Sequence, residues 1–204
     1  MTPTIYVEDW APYAYLVKAL FRVAPNLKVR LGRYDELDHP VVAERFLVSA
    51  FIAYRDELEP TFSFLSVGEA LDRRFAELSL CGETPVARGV VRSLCQIIDE
   101  GHLMLAASHI GDLPGYDGPM WHAGSPAPDA LLETYGKKMG IVERYATGDS
   151  FLLGPKAYLP DLIVAACIWY ACDIGIEPIP DNCPKLQAWY RRNVETGIFR
   201  HPTP

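Results

Sequence analysis

The alternation of hydrophobic and polar residues divides the first part of the chain into strand-like and helix-like segments. Residues 4–9 and 28–37 are rich in β-branched and aromatic residues, which predicts two strands, the second with Leu31 on its apolar side. Apolar residues three and four positions apart predict a helix over 12–24. Two apolar runs on either side of the polar turn 55–60 predict a β-hairpin.

Polar residues close to prolines or glutamates predict where two more helices begin. Asp38 followed by Pro40 predicts the start of a short helix, because proline is favoured in the first helical turn. Ser66 followed three residues later by Glu69 forms a capping-box pattern, which predicts a helix that reaches residue 80. The predicted order of the first 80 residues is therefore β-α-β-α-β-β-α.

The strand pattern ends near residue 84, and helical spacing dominates from there onward. Thr84 as a cap and Pro85 in the first turn predict a long helix that reaches residue 110. A loop rich in glycine and proline follows, and then three further predicted helices, at 129–146, 159–175 and 183–197. These patterns predict an α/β domain at residues 1–80 and an all-helical domain at residues 84–204.

Composition limits the kinds of protein that this chain can be. Half of the residues are hydrophobic and 22% are charged, which is typical of a globular protein. A net charge of −7 with no basic cluster argues against a nucleic-acid partner. The most apolar run, 162–176, is short for a membrane span and contains Asp173, so we expect a buried helix there and no membrane partner.

The cysteines and the N-terminus predict a cytoplasmic location. The five cysteines are odd in number and show neither zinc-site nor CxxC spacing, so reduced thiols are expected, without a disulfide framework or a metal site. The first ten residues lack the basic and apolar regions of a signal peptide.

The layout and a C-terminal motif resemble those of the soluble glutathione transferases. The matching positions are Leu152-Leu153-Gly154, Leu159, Asp161 and Trp189. The resemblance implies a thioredoxin-like N-terminal domain, an all-helical C-terminal domain, glutathione as cosubstrate, an apolar small molecule as second substrate, and a homodimer. It also implies that Asp161 closes the first turn of a buried helix, here with Tyr158 where the family has a serine or threonine cap.

The sequence departs from the family at the corner where the first strand meets the first helix. Serine-type and cysteine-type members carry the residue that contacts the glutathione sulfur just before the proline of that helix, but Ala11 precedes Pro12 here. Serine-type activation and cysteine-type thiol exchange are both placed in doubt. The position itself, Ala11, is still where the resemblance implies glutathione docking.

Two further departures concern other parts of the glutathione site. The family enters its third strand through Val-Pro with a cis peptide bond, whereas the equivalent here is Val48-Ser49, which is expected to be trans. A rival alignment assigns Pro60 to that role. The nearest match to the motif that holds the γ-glutamyl group offers Ser66 without a preceding acid, so Ser66 is either a ligand contact or a plain helix cap.

Four aromatic or acidic residues near the corner are candidates for the site. Tyr6 stands where tyrosine-type members carry a thiol activator, although it can equally be an ordinary strand aromatic. Asp9 beside Trp10 can act as an acid or base, or can simply cap the helix. Tyr13 either points into the cleft or packs in the core, and Trp10 is a pocket candidate with it.

The long helix and the loop after it are predicted to line a pocket for an apolar molecule. The pocket candidates beyond Trp10 and Tyr13 are Arg92, Cys95, His102, Met104 and Trp121, the last on a loop of a length that suits a lid. Asp99, His102 and His109 lie on the helix as well, but two turns separate the histidines, which is too far for one metal ion.

Three functions remain open from the sequence. The first is a glutathione transferase in which Tyr6 or backbone amides hold the thiolate. The second is an isomerase, cyclase or lyase on the same fold that works without glutathione and uses Asp9 or Tyr6 as acid or base. The third is a non-catalytic module for ligand binding or assembly.

Overall fold

A mixed four-stranded sheet forms the first part of the molecule. The computed structural model describes residues 2–8, 12–43, 51–57, 59–109 and 128–202. The strands are β1 (Thr4–Val7), β2 (Arg30–Arg33), β3 (Ile52–Arg55) and β4 (Thr61–Phe62), in the spatial order β2-β1-β3-β4. β1 pairs parallel with β2 and antiparallel with β3, and β4 pairs antiparallel with β3, which confirms the predicted hairpin.

Helices pack on the sheet and make up most of the rest of the described chain. They are α1 (Pro12–Val23), α2 (Phe64–Arg74), α3 (Pro85–His109), α4 (Pro128–Tyr145), α5 (Leu159–Asp173) and α6 (Pro184–Glu195). Thr84 caps α3 as predicted, since its hydroxyl accepts a bond from Ala87 N at 3.1 Å. The predicted thioredoxin-like domain followed by a helical domain is confirmed, while the boundaries at residues 80 and 84 remain predictions.

The side chains of β1 alternate between two separate apolar clusters. Ile5 and Val7 pack into the main core, together with α1 and α2. Tyr6 points to the opposite face, where it packs with Tyr34 and Ala53. This period of two is the geometry of a strand with both faces covered.

Helix α5 is buried on all sides and forms the centre of the helical part. Every residue from 159 to 171 is buried, which confirms that the apolar run is a core helix. None of the described helices is both long and apolar enough to cross a membrane. Asp161, in the first turn, accepts bonds from Leu152 N at 2.7 Å, Tyr158 N at 3.0 Å and Trp189 Nε1 at 3.1 Å.

Two predicted helix starts are corrected by the structure. The cap of α2 is Ser63, not Ser66, because β4 ends at Phe62 and the chain turns into the helix at once. The hydroxyl of Ser63 accepts a bond from Ser66 N at 3.4 Å. The helix that begins at Pro40 is capped by His39, whose ring accepts a bond from Val41 N at 3.2 Å. Asp38, the predicted cap, is not the capping residue.

Two further expectations for the sheet region are changed. The turn at Pro40–Val42 is a short 3-10 helix, and the rest of the helix predicted there lies outside the described residues. Leu31 is 50% exposed instead of lying on an apolar face. β2 is a four-residue strand at the edge of the sheet, so it pairs only with β1 among the described strands. Its residues are mostly exposed to solvent.

Candidate functional site

Two helices begin at the same edge of the sheet. Val7, at the end of β1, pairs with Ile52 at the start of β3, and Phe62, at the end of β4, pairs with Ala53. The chain therefore leaves β1 toward α1 and leaves β4 toward α2 at neighbouring points. Helix N-termini present unpaired backbone N–H groups and partial positive charge, so this edge suits an anionic ligand.

Ser63 lies at this edge with an unusual backbone conformation. Its φ is 69°, in the left-handed region that favours glycine, and its side chain is exposed. The hydroxyl groups of Ser63 and Ser66 lie 3.2 Å apart at the N-terminus of α2. Strain of this kind at a non-glycine residue is a frequent feature of binding sites.

Tyr13, in the first turn of α1, joins the sheet edge to the helical part. Its ring stacks with Phe51, just before β3, at 6.2 Å between centroids, and with Phe64, the first residue of α2, at 6.5 Å. On the other side it meets the ring of His102 edge-on at 5.0 Å. Tyr13, Phe51 and Phe64 are buried in the main core, so they form an apolar wall behind the polar backbone groups of the edge.

The hydroxyl of Tyr13 is committed to a carboxylate on α3. It donates to Asp99 Oδ1 at 2.7 Å, across 86 positions of sequence. Burial, and then the charge of Asp99 together with this bond, raise the pKa of Tyr13 well above its ordinary value. Burial likewise raises the pKa of Asp99, although the bond from Tyr13 acts in the opposite direction. The hydroxyl of Tyr13 is therefore not available to donate a hydrogen bond to a thiolate.

His102 is buried beside this pair without a hydrogen bond. It is 1% exposed, and neither ring nitrogen has a partner among the residues that the structure describes. Burial lowers the pKa of His102 to about 3, so the ring is neutral at physiological pH. A neutral imidazole can donate one hydrogen bond and accept another.

The structure places Tyr6 away from this wall. Its ring is 9% exposed and lies against the backbone of Gly32 on the face of the sheet opposite to Tyr13. This position favours a packing role. Tyr6 as a thiol activator stays a prediction.

The pocket candidates on α3 divide into two groups. Cys95 and His102 are seven residues apart and lie on the same side of α3, and both are buried, with burial raising the pKa of the Cys95 thiol. Met104 lies on nearly the opposite side of the helix, two residues after His102. Arg92 is exposed and pairs with Glu69 at 2.6 Å.

Arg92 belongs to a surface pocket of its own. The pocket has a volume of about 510 Å³ and lies between α2 and the beginning of α3. Charged side chains of both signs line it, including Asp72, Arg73 and Arg88. It is therefore different in character from the apolar pocket that the sequence predicts.

Several predicted site residues lie outside the described residues. These are Asp9, Trp10, Ala11, Val48, Ser49 and Trp121. Their proposed roles stay predictions. Pro60 is described, and it lies between β3 and β4, so the rival alignment that puts it at the entry to the third strand is wrong.

No three histidine, cysteine or acidic residues lie together as metal ligands within the described ranges. All five cysteines are free, four of them buried, with Cys172 exposed. Burial raises the pKa of the Cys81 thiol to about 12 and of Cys167 well above its ordinary value. These two thiols are therefore unreactive near neutral pH.

Three residues at the sheet edge are not predicted from the sequence. Ser63 was hidden by the stronger pattern of Ser66 followed by Glu69, although the spacing from Ser63 to Ser66 is the same. Phe51 and Phe64 flank the hairpin in sequence, and only the pairing of β3 with β1 and β4 brings them to Tyr13.

Comparison with known proteins identifies the fold. No protein-family model and no curated protein matches the chain. Among solved structures, a glutathione S-transferase from Sinorhizobium meliloti 1021 is 20% identical, with a TM-score of 0.65 over 98% of this chain and 91% of that one. Gtt2 from Saccharomyces cerevisiae is 18% identical, with a TM-score of 0.70 over 97% and 98%.

A third similar structure contains a ligand. Ure2p in complex with glutathione is 14% identical to this chain, with a TM-score of 0.67 over 97% of this chain and 96% of that one. At these identities the similarity shows the fold. The chain has the glutathione transferase fold over its whole length.

Proposed function

We propose that this protein is a glutathione-transferase-like protein that binds glutathione at the sheet edge where α1 and α2 begin. The observation that carries the proposal is that two helix N-termini and the exposed hydroxyl of Ser63 meet at one edge. Glutathione is an anionic peptide, and these groups are suited to its carboxylates. The fold that the chain shares with the glutathione complex of Ure2p supports the same ligand.

Activation of the thiol would rest mainly on the backbone. Ala11 has no hydroxyl or thiol, and the hydroxyl of Tyr13 already donates its hydrogen bond to Asp99. The N-terminus of α1, which begins at Pro12, supplies positive potential at this corner. Such a dipole lowers the pKa of a thiol and so favours the thiolate.

Calorimetric titration with glutathione tests the binding site. We expect Ser63→Ala to weaken binding about tenfold, the value of one lost hydrogen bond to a charged group. Ser93→Ala is the matched control, because Ser93 is an exposed hydroxyl on α3 that bonds only to its own helix at Gly89 O. Failure of the wild-type protein to bind glutathione at millimolar concentration would contradict the proposal.

The role of Tyr6 is tested separately by Tyr6→Phe. Since Tyr6 packs on the far face of the sheet, we expect the variant to keep its conjugation activity on a generic electrophile. A large loss of kcat with unchanged glutathione affinity would assign the activation to Tyr6.

A second candidate function is a reaction without glutathione. The buried group of Tyr13, Asp99 and His102 favours it, because it contains an acid and a potential base in an apolar environment. Turnover of an apolar substrate in the absence of glutathione, with loss in Asp99→Asn, would support an isomerase, cyclase or lyase. Ligand binding without any turnover would support a non-catalytic module.

We also propose that the protein is a cytoplasmic homodimer, as is common in proteins of this fold. Sedimentation equilibrium gives the assembly state directly, and the mass of one chain, 22.8 kDa, would contradict the dimer.

A further inference from the structure

The charged pocket between α2 and α3 is separate from the sheet edge proposed for glutathione. Its volume of about 510 Å³ is in the range of pockets that hold small organic molecules. Arg73, which lines it, lies at the far end of α2 from Ser63, and ten helical residues span about 15 Å. The pocket therefore needs an explanation of its own.

The segment that joins α2 to α3 forms one side of the pocket and is held by Asp72. The two carboxylate oxygens of Asp72 accept the backbone N–H groups of Leu80 and Cys81, both at 2.7 Å. Gly82 follows with φ 93°, and a Cβ there would lie 3.0 Å from backbone atoms in the first turn of α3. The segment is therefore packed closely against α3, and both oxygens of Asp72 are engaged.

The two other carboxylates that line the pocket are paired with cations. Glu69 pairs with Arg92 at 2.6 Å, within the pocket. Glu83 pairs at 2.9 Å with Lys156, which does not line it. Among the described residues of the lining, no carboxylate is therefore left to pair with a further arginine.

Two arginines of the pocket have no carboxylate partner within the described ranges. Arg88 donates its Nε–H to the neutral carbonyl oxygen of Gly82 at 3.0 Å. Arg73 is exposed and makes neither an ion pair nor a hydrogen bond with the described part of the chain. Because a guanidinium group stays charged in proteins, the pocket presents unpaired positive charge from both α2 and α3.

These groups limit the chemistry of a ligand. A guanidinium group binds a carboxylate or a phosphate through two parallel hydrogen bonds, so a ligand with two negative charges can engage Arg73 and Arg88 together. Burial, and then the charge of Asp72, raise the pKa of the Cys81 thiol to about 12, so this thiol is neutral and is not a nucleophile. The pocket is therefore suited to binding an anion and not to covalent chemistry at Cys81.

We propose that the pocket between α2 and α3 binds a small organic dianion, such as a phosphate monoester or a dicarboxylate, through Arg73 and Arg88. The site goes beyond the proposed binding of glutathione and does not depend on it.

Calorimetric titrations with glycerol 3-phosphate and with succinate, both without glutathione, test the site. We expect at least one of these dianions to bind, and the one that binds identifies the preferred anionic group. Arg73→Gln should weaken this binding about tenfold, because it removes a charged hydrogen-bond donor. Arg74→Gln is the matched control, since Arg74 is the next residue on α2 and does not line the pocket. It should retain the wild-type affinity.

Glu69→Gln provides a test of opposite sign. Glu69 engages the Arg92 guanidinium, so its removal frees a third arginine in the same pocket. We expect dianion binding to tighten about three- to tenfold in this variant. Unchanged or weaker binding would contradict a site governed by its unpaired arginines.

Other outcomes would overturn the proposal as a whole. Failure of both probes to bind the wild-type protein at millimolar concentration would do so, as would equal affinities in Arg73→Gln and Arg74→Gln. If the probes do not bind and Arg73→Gln dissociates a dimer in sedimentation equilibrium, a second copy of the chain occupies the pocket instead. An equal loss of glutathione and dianion binding in Arg73→Gln would place both ligands in one site. Failure to bind glutathione with dianion binding intact would refute the proposed function alone.

Discussion

His102 and Tyr13 are two buried polar side chains in contact, and they differ in whether their polar atoms are hydrogen-bonded. Tyr13 is buried with its hydroxyl bonded to Asp99, whereas His102 is buried and neither of its ring nitrogens has a hydrogen-bond partner among the described residues. An unsatisfied buried polar group typically costs about 1–3 kcal/mol. At the scale of single residues, the stability of the protein should therefore respond to His102 and Tyr13 in different ways.

The titration of His102 should make the free energy of unfolding depend on pH. The pKa of His102 is lowered from 6.5 to about 3 in the folded state, so between these values the unfolded chain binds a proton that the folded chain does not. Stability is therefore fully present above pH 6.5 and is lost as the pH falls. Relative to His102→Phe, the wild-type protein should lose about 1.4 kcal/mol of unfolding free energy per pH unit in this window.

The comparison with the variant is what isolates this effect. The pKa of Asp99 is raised, so Asp99 stabilises the fold as the pH falls and opposes His102 in the wild-type protein. Both proteins contain Asp99, and urea unfolding of each at several pH values removes its contribution from the difference. A difference that does not change with pH would contradict the neutral buried state of His102.

Removing the hydroxyl of Tyr13 should be costly. Tyr13→Phe leaves the Asp99 carboxylate without its buried donor, and we expect a loss of about 1–3 kcal/mol in unfolding free energy. Tyr54→Phe is the matched control, because its hydroxyl bonds to Asp56 at 3.3 Å near the surface. Similar losses in the two variants would mean that the Tyr13–Asp99 bond contributes no more to stability than the Tyr54–Asp56 bond does.

At the scale of elements, the N-terminus of α5 depends on one carboxylate. Asp161 uses both oxygens, one toward Leu152 and Trp189 and the other toward Tyr158. Asp161→Asn replaces one acceptor by an NH₂ group that faces a donor, so we expect a loss of about 2–4 kcal/mol, measured by urea unfolding. Asp149→Asn, in the exposed turn at Thr147, should stay within about 0.5 kcal/mol.

The N-terminus of α2 offers a test that separates backbone strain from capping. Ser63 has φ 69°, which glycine adopts without strain, and its hydroxyl caps the helix. Ser63→Ala keeps the strain and loses the cap, so it should lower the unfolding free energy by about 1 kcal/mol. Ser63→Gly should lower it by only a few tenths.

Glutathione affinity should not rank these two variants in the same way as their stability does. If the hydroxyl of Ser63 contacts glutathione, both substitutions should weaken binding equally, although only Ser63→Ala is clearly less stable. A glycine variant that retains wild-type affinity would show that the hydroxyl is a cap and not a ligand contact.

At the scale of the whole molecule, α1 holds the sheet against the helical part. α1 packs on α5, and near the far end of α5 Tyr15 donates to Asp173, which also pairs with His201 at 3.1 Å. Burial, and then the hydrogen bond to Asp173, raise the pKa of Tyr15 above its ordinary value. The N-terminal part therefore shares a continuous core with the helical part.

This shared core predicts that the N-terminal part is not stable alone. A fragment of residues 1–80 would expose the face of α1 that α5 covers, and exposed apolar surface of that kind destabilises a small domain. We expect the fragment to lack a cooperative thermal transition and to bind a hydrophobic dye, whereas the full chain unfolds cooperatively. A soluble, cooperatively folded fragment would contradict this prediction.

The local sequence determined the elements of the fold, and the tertiary structure decided the site. The spacing of apolar residues predicted the strand segments, the hairpin and the buried helix α5, and Thr84 followed by Pro85 predicted the start of α3, because each of these patterns lies within one segment of sequence. It failed at Ser63, where strand pairing and not capping preference sets the start of the helix. The Tyr13–Asp99 bond and the ring contact between Tyr13 and His102 join residues about 90 positions apart, and no local pattern encodes which side chains meet across such a distance.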